Sequence, residues 1–305
     1  MATRSMSLRP AFTPNQRGAL WLLGTSAVFT LMNSVIKYLG PAIPTSEVVL
    51  FRSAFGLVAL LPFILSDPRG ALAITRPGLH LFRAVLGLIA MSANFWTVAV
   101  LPLATATSLF FTKPLFMPIL AVLLLKERFR WRRGLATAGG FLGVLVMLDP
   151  DSGTGPWPIA IGLAGAACVA LIMVVIKKLT ATERPLAVLV WFSVLSSIGI
   201  APLAAWVWVT PSLDQLLLLM SLGGFGSWGQ YMMIRAYRVG EAQAITPVDY
   251  TQLLFAGVLG MVLFGELPGL RMLLGIVIIV GATLYITLHE EKPLPPPVTS
   301  NASLH

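Results

Sequence analysis

Lys113 stands in FFTKPLF (110–116) and Asp249 in DYTQLLF (249–255), each within a stretch that is otherwise almost wholly apolar. Ionised groups in hydrocarbon are costly unless paired or wetted, so each is a functional candidate. Lys113 lies about nine residues into its apolar stretch and Asp249 about six into its own, which at 1.5 Å per residue gives depths of roughly 14 Å and roughly 9 Å. Opposite charges at comparable depth have two readings. They form an ion pair that holds two parts of the chain together, or at least one of them meets a substrate or a proton.

Polar and aromatic residues cluster in the same kind of stretch. SANFWTVAV (92–100) carries Asn94 and Trp96, and GSWGQYM (226–232) carries Trp228, Gln230 and Tyr231. With Asn33, Phe111 and Tyr250 they would line a pocket whose aromatic walls grip an apolar moiety while a few amides orient a polar head. Helix packing accounts for many such residues equally well, although a buried amide in hydrocarbon wants a partner. His80 can titrate near neutrality and joins Asp249 as a candidate for proton coupling, against the plain reading of a solvated side chain. Arg52 and Arg83 lie nearer the ends of their stretches and are read as snorkelling or gate-pairing residues.

GFGSWG (224–229) matches G-x-G-x-x-G, but no strand precedes it, and small residues in an apolar run serve close helix approach. No metal-ligand spacing, P-loop or G-x-S-x-G elbow occurs, so the sequence offers no catalytic residues, no metal site and no cofactor site. Cys168 is the single cysteine, which excludes an intramolecular disulfide.

The elements that must position these residues are membrane spans. Of 305 residues 57% are hydrophobic and 11% charged, with a mean hydropathy of +0.86, far more apolar than a soluble domain. Breaking the chain at its Pro, Gly and charge clusters gives ten candidate spans near 17–38, 45–65, 79–100, 104–125, 133–148, 157–177, 184–209, 212–234, 243–264 and 269–288. Of the 21 Lys and Arg, 16 then fall on one side and only Lys37 and Arg271 on the other. This positive-inside bias puts both termini in the cytoplasm of a bacterial inner membrane. The net charge of +9 is accordingly not a nucleic-acid footprint.

Sliding the chain on itself by 139 residues lays TSLFFTKPLFMPILAVLLLKE (107–127) over TPVDYTQLLFAGVLGMVLFGE (246–266), with seven identities that include Thr112/Thr251 and Glu127/Glu266. The two opening motifs are thus one element in two copies. Five spans per copy means that the second enters the membrane from the opposite face, an inverted repeat with its substrate site near the midplane between the halves. The expected organisation is a cytoplasmic segment 1–16, repeats 17–150 and 155–288, and a Pro-rich disordered tail 289–305. Pro114 would also free the carbonyl of Phe110 from its helical bond.

The motif LPLATATSLFFTKPLFMPILAVLLLKERFRWRRGLATAGGFLGVLVML (101–148), its echo at 243–284 and the span arrangement resemble the EamA domains of the drug/metabolite transporter superfamily. The resemblance implies an all-α carrier of ten helices around a central cavity. It belongs to a superfamily that includes bacterial amino-acid exporters and an uptake branch for S-adenosylmethionine. The second copy departs from the pattern at Lys113 and Pro114, replaced by Gln252 and Leu253.

The expected function is export of a small metabolite, an amino acid of aromatic, methionine or threonine type, by alternating access without ATP. The alternative is a carrier of S-adenosylmethionine or a cationic drug, since a flat cation also suits aromatic faces. A membrane-embedded enzyme would need acids, bases or metal ligands that the short loops lack. A mere scaffold would leave Lys113 and Asp249 without purpose. The expected partners are a small-molecule substrate and the lipid bilayer, with no nucleic acid, and a monomer is the working expectation.

Overall fold

The computed structural model describes residues 12–113, 115–116, 119–120, 123, 131–147, 155–180, 182–239, 245 and 248–288. Among these, eleven α-helices and no strands occur: α1 Pro14–Leu39, α2 Thr45–Ser66, α3 Pro68–Leu72, α4 Pro77–Val100, α5 Leu103–Phe110, α6 Trp131–Met147, α7 Trp157–Thr180, α8 Pro185–Trp206, α9 Leu213–Val239, α10 Thr251–Phe264 and α11 Leu270–Leu288. Local sequence sets several starts. Pro14, Pro68, Pro77 and Pro185 begin their helices where a missing N–H costs nothing. Thr13 and Gln16 form a capping box on α1. The short α3, absent from the sequence reading, is nucleated by Asp67, whose side chain accepts from the Gly70 N–H at 3.0 Å.

Among the described residues five helices are long and apolar enough to cross a membrane: Pro14–Leu39, Thr45–Ser66, Pro77–Val100, Trp157–Ile176 and Leu186–Trp206. Four of the other expected spans correspond to the shorter α5, α6, α10 and α11, and the remaining one to α9. The fourth span does not appear as one continuous helix because its backbone breaks at Phe111 and Thr112. The ninth breaks at Tyr250. The break expected at Thr210–Pro211 is present between α8 and α9.

Successive long helices reverse direction, so the bundle has a near end, where α1 starts, and a far end. α1 packs against α9 and α10, and α7 against α4 and α5; α2 packs on α8 and α9, α4 on α8, α5 on α10 and α6 on α11. Glycines let several of these pairs approach closely. A Cβ at Gly223 on α9 would lie 2.4 Å from the Phe55 backbone on α2, and one at Gly143 on α6 would lie 3.0 Å from the Gly275 carbonyl on α11. GFGSWG is therefore a packing stripe, helical throughout, with Gly229 against Phe29 of α1.

Candidate interior binding site

The two copies of the repeated motif meet in the interior. α5 ends at Phe110, and Thr112 Oγ1 donates to the Leu109 carbonyl at 2.6 Å. In the second copy Thr251 Oγ1 donates to the Val248 carbonyl at 2.7 Å. Leu109 and Val248, like Thr112 and Thr251, are 139 residues apart, so the same threonine-to-carbonyl bond occupies both breaks. Phe111 and Tyr250, again a matched pair, face each other with ring centroids 5.1 Å apart. Phe111 is buried and Tyr250 half-buried.

The charges beside this aromatic contact are arranged differently from a simple salt bridge. Lys113 Nζ sits over the Phe110 ring, 4.2 Å from its centroid, and within electrostatic range of Asp249. Among the described residues no ion pair within 4.0 Å joins Lys113 to Asp249. Ser26 of α1 donates to the Asp249 carbonyl at 3.4 Å, which ties α1 to the break before α10. The interior therefore holds opposite charges with aromatic rings beside them. Such a geometry can admit a ligand that carries its own charge.

The other sequence candidates differ in exposure. Asn33 is buried on α1 and its Oδ1 lacks a hydrogen-bond donor. Asn94, Trp96 and Gln230 are half-buried on α4 and α9. Tyr231 packs edge-on against Trp21 at 6.3 Å and stacks with Trp228 at 5.5 Å, while Arg235 Nε donates to its hydroxyl at 3.0 Å. Trp228 is 54% exposed. Trp21 packs near Val248 and carries this aromatic run to the start of the second break. Pro114, expected to free the Phe110 carbonyl, lies outside the described residues.

Carboxylates fasten the two ends. At the far end Glu266 pairs with Lys37 at 2.7 Å and accepts the Leu103 N–H, at the start of α5, at 2.7 Å; Lys37 also donates to the Leu101 carbonyl. Gly265, at φ 66°, turns the chain so that Glu266 can reach back. At the near end Glu183 accepts the N–H groups of Thr75 and Arg76, both at 3.0 Å, and the Thr75 hydroxyl at 2.9 Å, and bonds to His80 Nε2. Burial raises the Glu183 pKa, but the bonds to His80, Thr75 and Arg76 outweigh it and hold the group down at about 2. His80 is only 1% exposed, so the expectation of a solvated histidine is corrected: it is a buried partner of Glu183.

Arg83 also departs from the sequence reading, and the gate pairing offered for Arg52 is not seen. Neither takes part in a gate ion pair among the described residues, and Arg83 does not reach the surface, being 5% exposed with its guanidinium over the Phe192 ring at 4.0 Å. Sequence reasoning missed Glu183, Trp21, Ser26 and Phe110 as well. The signal for Glu183 was its place in a loop only two residues before the Pro185 helix start; the others carry none in sequence alone.

A family model described as the EamA-like transporter family matches residues 16–149 and again 156–288. The chain belongs to this family. The S-adenosylmethionine uptake transporter of Rickettsia prowazekii (strain Madrid E) is 32% identical over 277 residues, covering 91% of this chain and 94% of that protein. A riboflavin transporter of Vibrio cholerae serotype O1 is 30% identical over 281 residues, covering 90% and 94%. A protein crystal structure aligns with a TM-score of 0.59 at 19% identity, over 90% of this chain and 96% of the other, which is a likeness of fold. This EamA-like chain is thus a multi-pass membrane transporter of a small molecule.

Proposed function

We propose that this EamA-like chain is a secondary carrier of S-adenosylmethionine, or of a closely similar cation bearing an aromatic heterocycle, across a bacterial inner membrane. One observation carries the reading: Lys113 and Asp249 flank the Phe111–Tyr250 contact without pairing. A ligand cation can take the place of Lys113 opposite Asp249, while its heterocycle lies against the aromatic rings. The similarity to S-adenosylmethionine uptake transporters over nine-tenths of the chain supports the same ligand class. Amino-acid export, the first expectation from sequence, moves to second place; S-adenosylmethionine contains an amino-acid moiety, so both readings share one zwitterionic head.

In this reading the ten spans form two inverted five-helix repeats, 17–150 and 155–288, with both termini cytoplasmic. The exchange symmetry of the packing pairs supports it, since α1 on α9 and α10 mirrors α7 on α4 and α5. Alternating access then needs each end to open in turn. The Lys37–Glu266–Leu103 cluster, which ties the ends of α1 and α10 to the start of α5, is the latch of the outer gate.

Counterflow in proteoliposomes tests the proposal, with labelled S-adenosylmethionine exchanged against S-adenosylmethionine, methionine, threonine, phenylalanine and riboflavin, in the absence of ATP. Exchange of S-adenosylmethionine, with loss in Asp249→Asn, is the expected result. If only amino acids or only riboflavin exchange, the substrate assignment fails while the carrier assignment stands.

A further inference from the structure

Among the described residues nine buried side-chain atoms lack a hydrogen-bond partner, and five of them are donors on α2, α4 and α8: Arg52 Nε, Ser53 Oγ, Arg83 Nε, Arg83 Nη1 and Ser196 Oγ. These three helices pack against one another pairwise. A buried donor left unpaired costs free energy, and a buried guanidinium costs more. Here two cations lie within electrostatic range of each other, and no carboxylate is within 4.0 Å of either among the described residues.

The geometry keeps the donors available. Arg83 places its guanidinium over the Phe192 ring, 4.0 Å from the centroid, while its Nε and Nη1 remain without a hydrogen-bond partner. Gly87, one turn after Arg83 on the same helix, makes room for that ring, because a Cβ there would meet Phe192 at 2.4 Å. Gly226 of α9 does the same for Arg52, with a Cβ falling 3.1 Å from its Nε and Nη2. Small residues thus accommodate both arginines within the bundle. Snorkelling does not account for Arg83, which is 95% enclosed, and among the described residues no salt bridge holds either arginine.

We infer that Arg83 and Arg52, with the hydroxyls of Ser53 and Ser196, form a binding site for the anionic group of the transported molecule, a carboxylate or a phosphate. A planar oxyanion satisfies several of these donors at once and neutralises the repulsion between the two guanidinium groups. Under the proposed function, on which this assignment of ligand rests, the group is the carboxylate of S-adenosylmethionine. Asp249 would then take the cationic part and the arginines the anionic part. α4, which carries Arg83, packs against α1 and α5 and so borders the interior that holds Lys113.

The test uses the full chain in detergent and compares ligands in matched pairs by thermal stabilisation and by radioligand binding. The pairs are S-adenosylmethionine with its decarboxylated analogue, methionine with 3-(methylthio)propylamine, and flavin mononucleotide with riboflavin. The acidic member should bind about 10- to 100-fold more tightly, the range expected for hydrogen bonds to a charged group. That preference should disappear in Arg83→Gln and partly survive in Arg83→Lys. Ligand-free Arg83→Gln should melt at the same temperature as the native protein or higher, because an unpaired buried charge has been removed. A lower melting point with the preference intact would make Arg83 structural and overturn the inference. Equal binding of both members of every pair would overturn it as well, even if S-adenosylmethionine is transported. So would Arg83-dependent stabilisation by chloride alone, with no further gain from any carboxylate. If S-adenosylmethionine fails to bind while another acidic member binds in an Arg83-dependent way, the proposed substrate falls and the anion site stands.

Discussion

FFTKPLF and DYTQLLF are the same backbone device with different chemistry. In each a threonine hydroxyl closes onto the carbonyl three residues earlier, Thr112 on Leu109 and Thr251 on Val248, and in each an aromatic residue within the break meets its counterpart. The charges are not duplicated. Lys113 is matched by the buried Gln252, and Asp249 by Phe110, whose ring carries the lysine. The threonine-to-carbonyl bond recurs at both breaks, whereas one motif carries a cation and the other an anion. The end contacts repeat the contrast. Glu183 gathers three backbone or hydroxyl donors and His80, while Glu47 at the far end accepts only the Val209 N–H, at 2.7 Å, and keeps Oε2 unpaired.

The sharpest way to break this contrast is to make the halves alike. Lys113→Gln copies the second motif into the first and leaves Asp249 uncompensated, so counterflow should fall by about tenfold or more; adding Asp249→Asn should recover stability but not transport. A double-mutant cycle on thermal unfolding should give about 1–3 kcal/mol of coupling. Strict additivity would show that the two charges act separately.

Glu266→Gln comes next. It removes the charge that holds Lys37 and weakens the bond to Leu103 N–H, with a cost of about 1.5–3 kcal/mol for charged hydrogen bonds. Unfolding in detergent measures the cost, and cysteine accessibility at the far end should rise.

The Glu183 cluster sharpens the comparison through pH. Its carboxylate pKa is depressed in the folded state to about 2 from 4.5, so its stabilisation is full above about 4.5 and is lost as pH falls through that window. Melting temperature should therefore decline between pH 4.5 and 2 with a component absent from Glu183→Gln. Glu47→Gln should leave that component in place.

The smallest effects are expected where the halves agree. Thr112→Val and Thr251→Val each remove one hydroxyl bond and should each cost about 0.5–1.5 kcal/mol. Unequal costs would mean that the two breaks are not equivalent.

Apolar composition, span lengths and the 139-residue offset were legible in the sequence because they are properties of the chain: a bilayer-length run and a repeated motif need no partner to be seen. Breaking the chain at its Pro, Gly and charge clusters put span starts near 17, 79 and 184, within a few residues of the helix starts at Pro14, Pro77 and Pro185, and FFTKPLF marked the interruption found at Phe111 and Thr112. What the sequence could not decide is which side chains meet. Arg83 looked like a residue near a span end, yet its position between α2, α4 and α8 encloses it. His80 looked solvated until Glu183, 103 residues later, came to lie beside it. Lys113 and Asp249 could be read in sequence as an ion pair or as substrate or proton contacts, and packing sets the lysine over Phe110 within electrostatic range of the acid. Depth along a helix follows from counting residues, but burial and partnership depend on which helix lies opposite, and that is fixed only when the whole bundle packs.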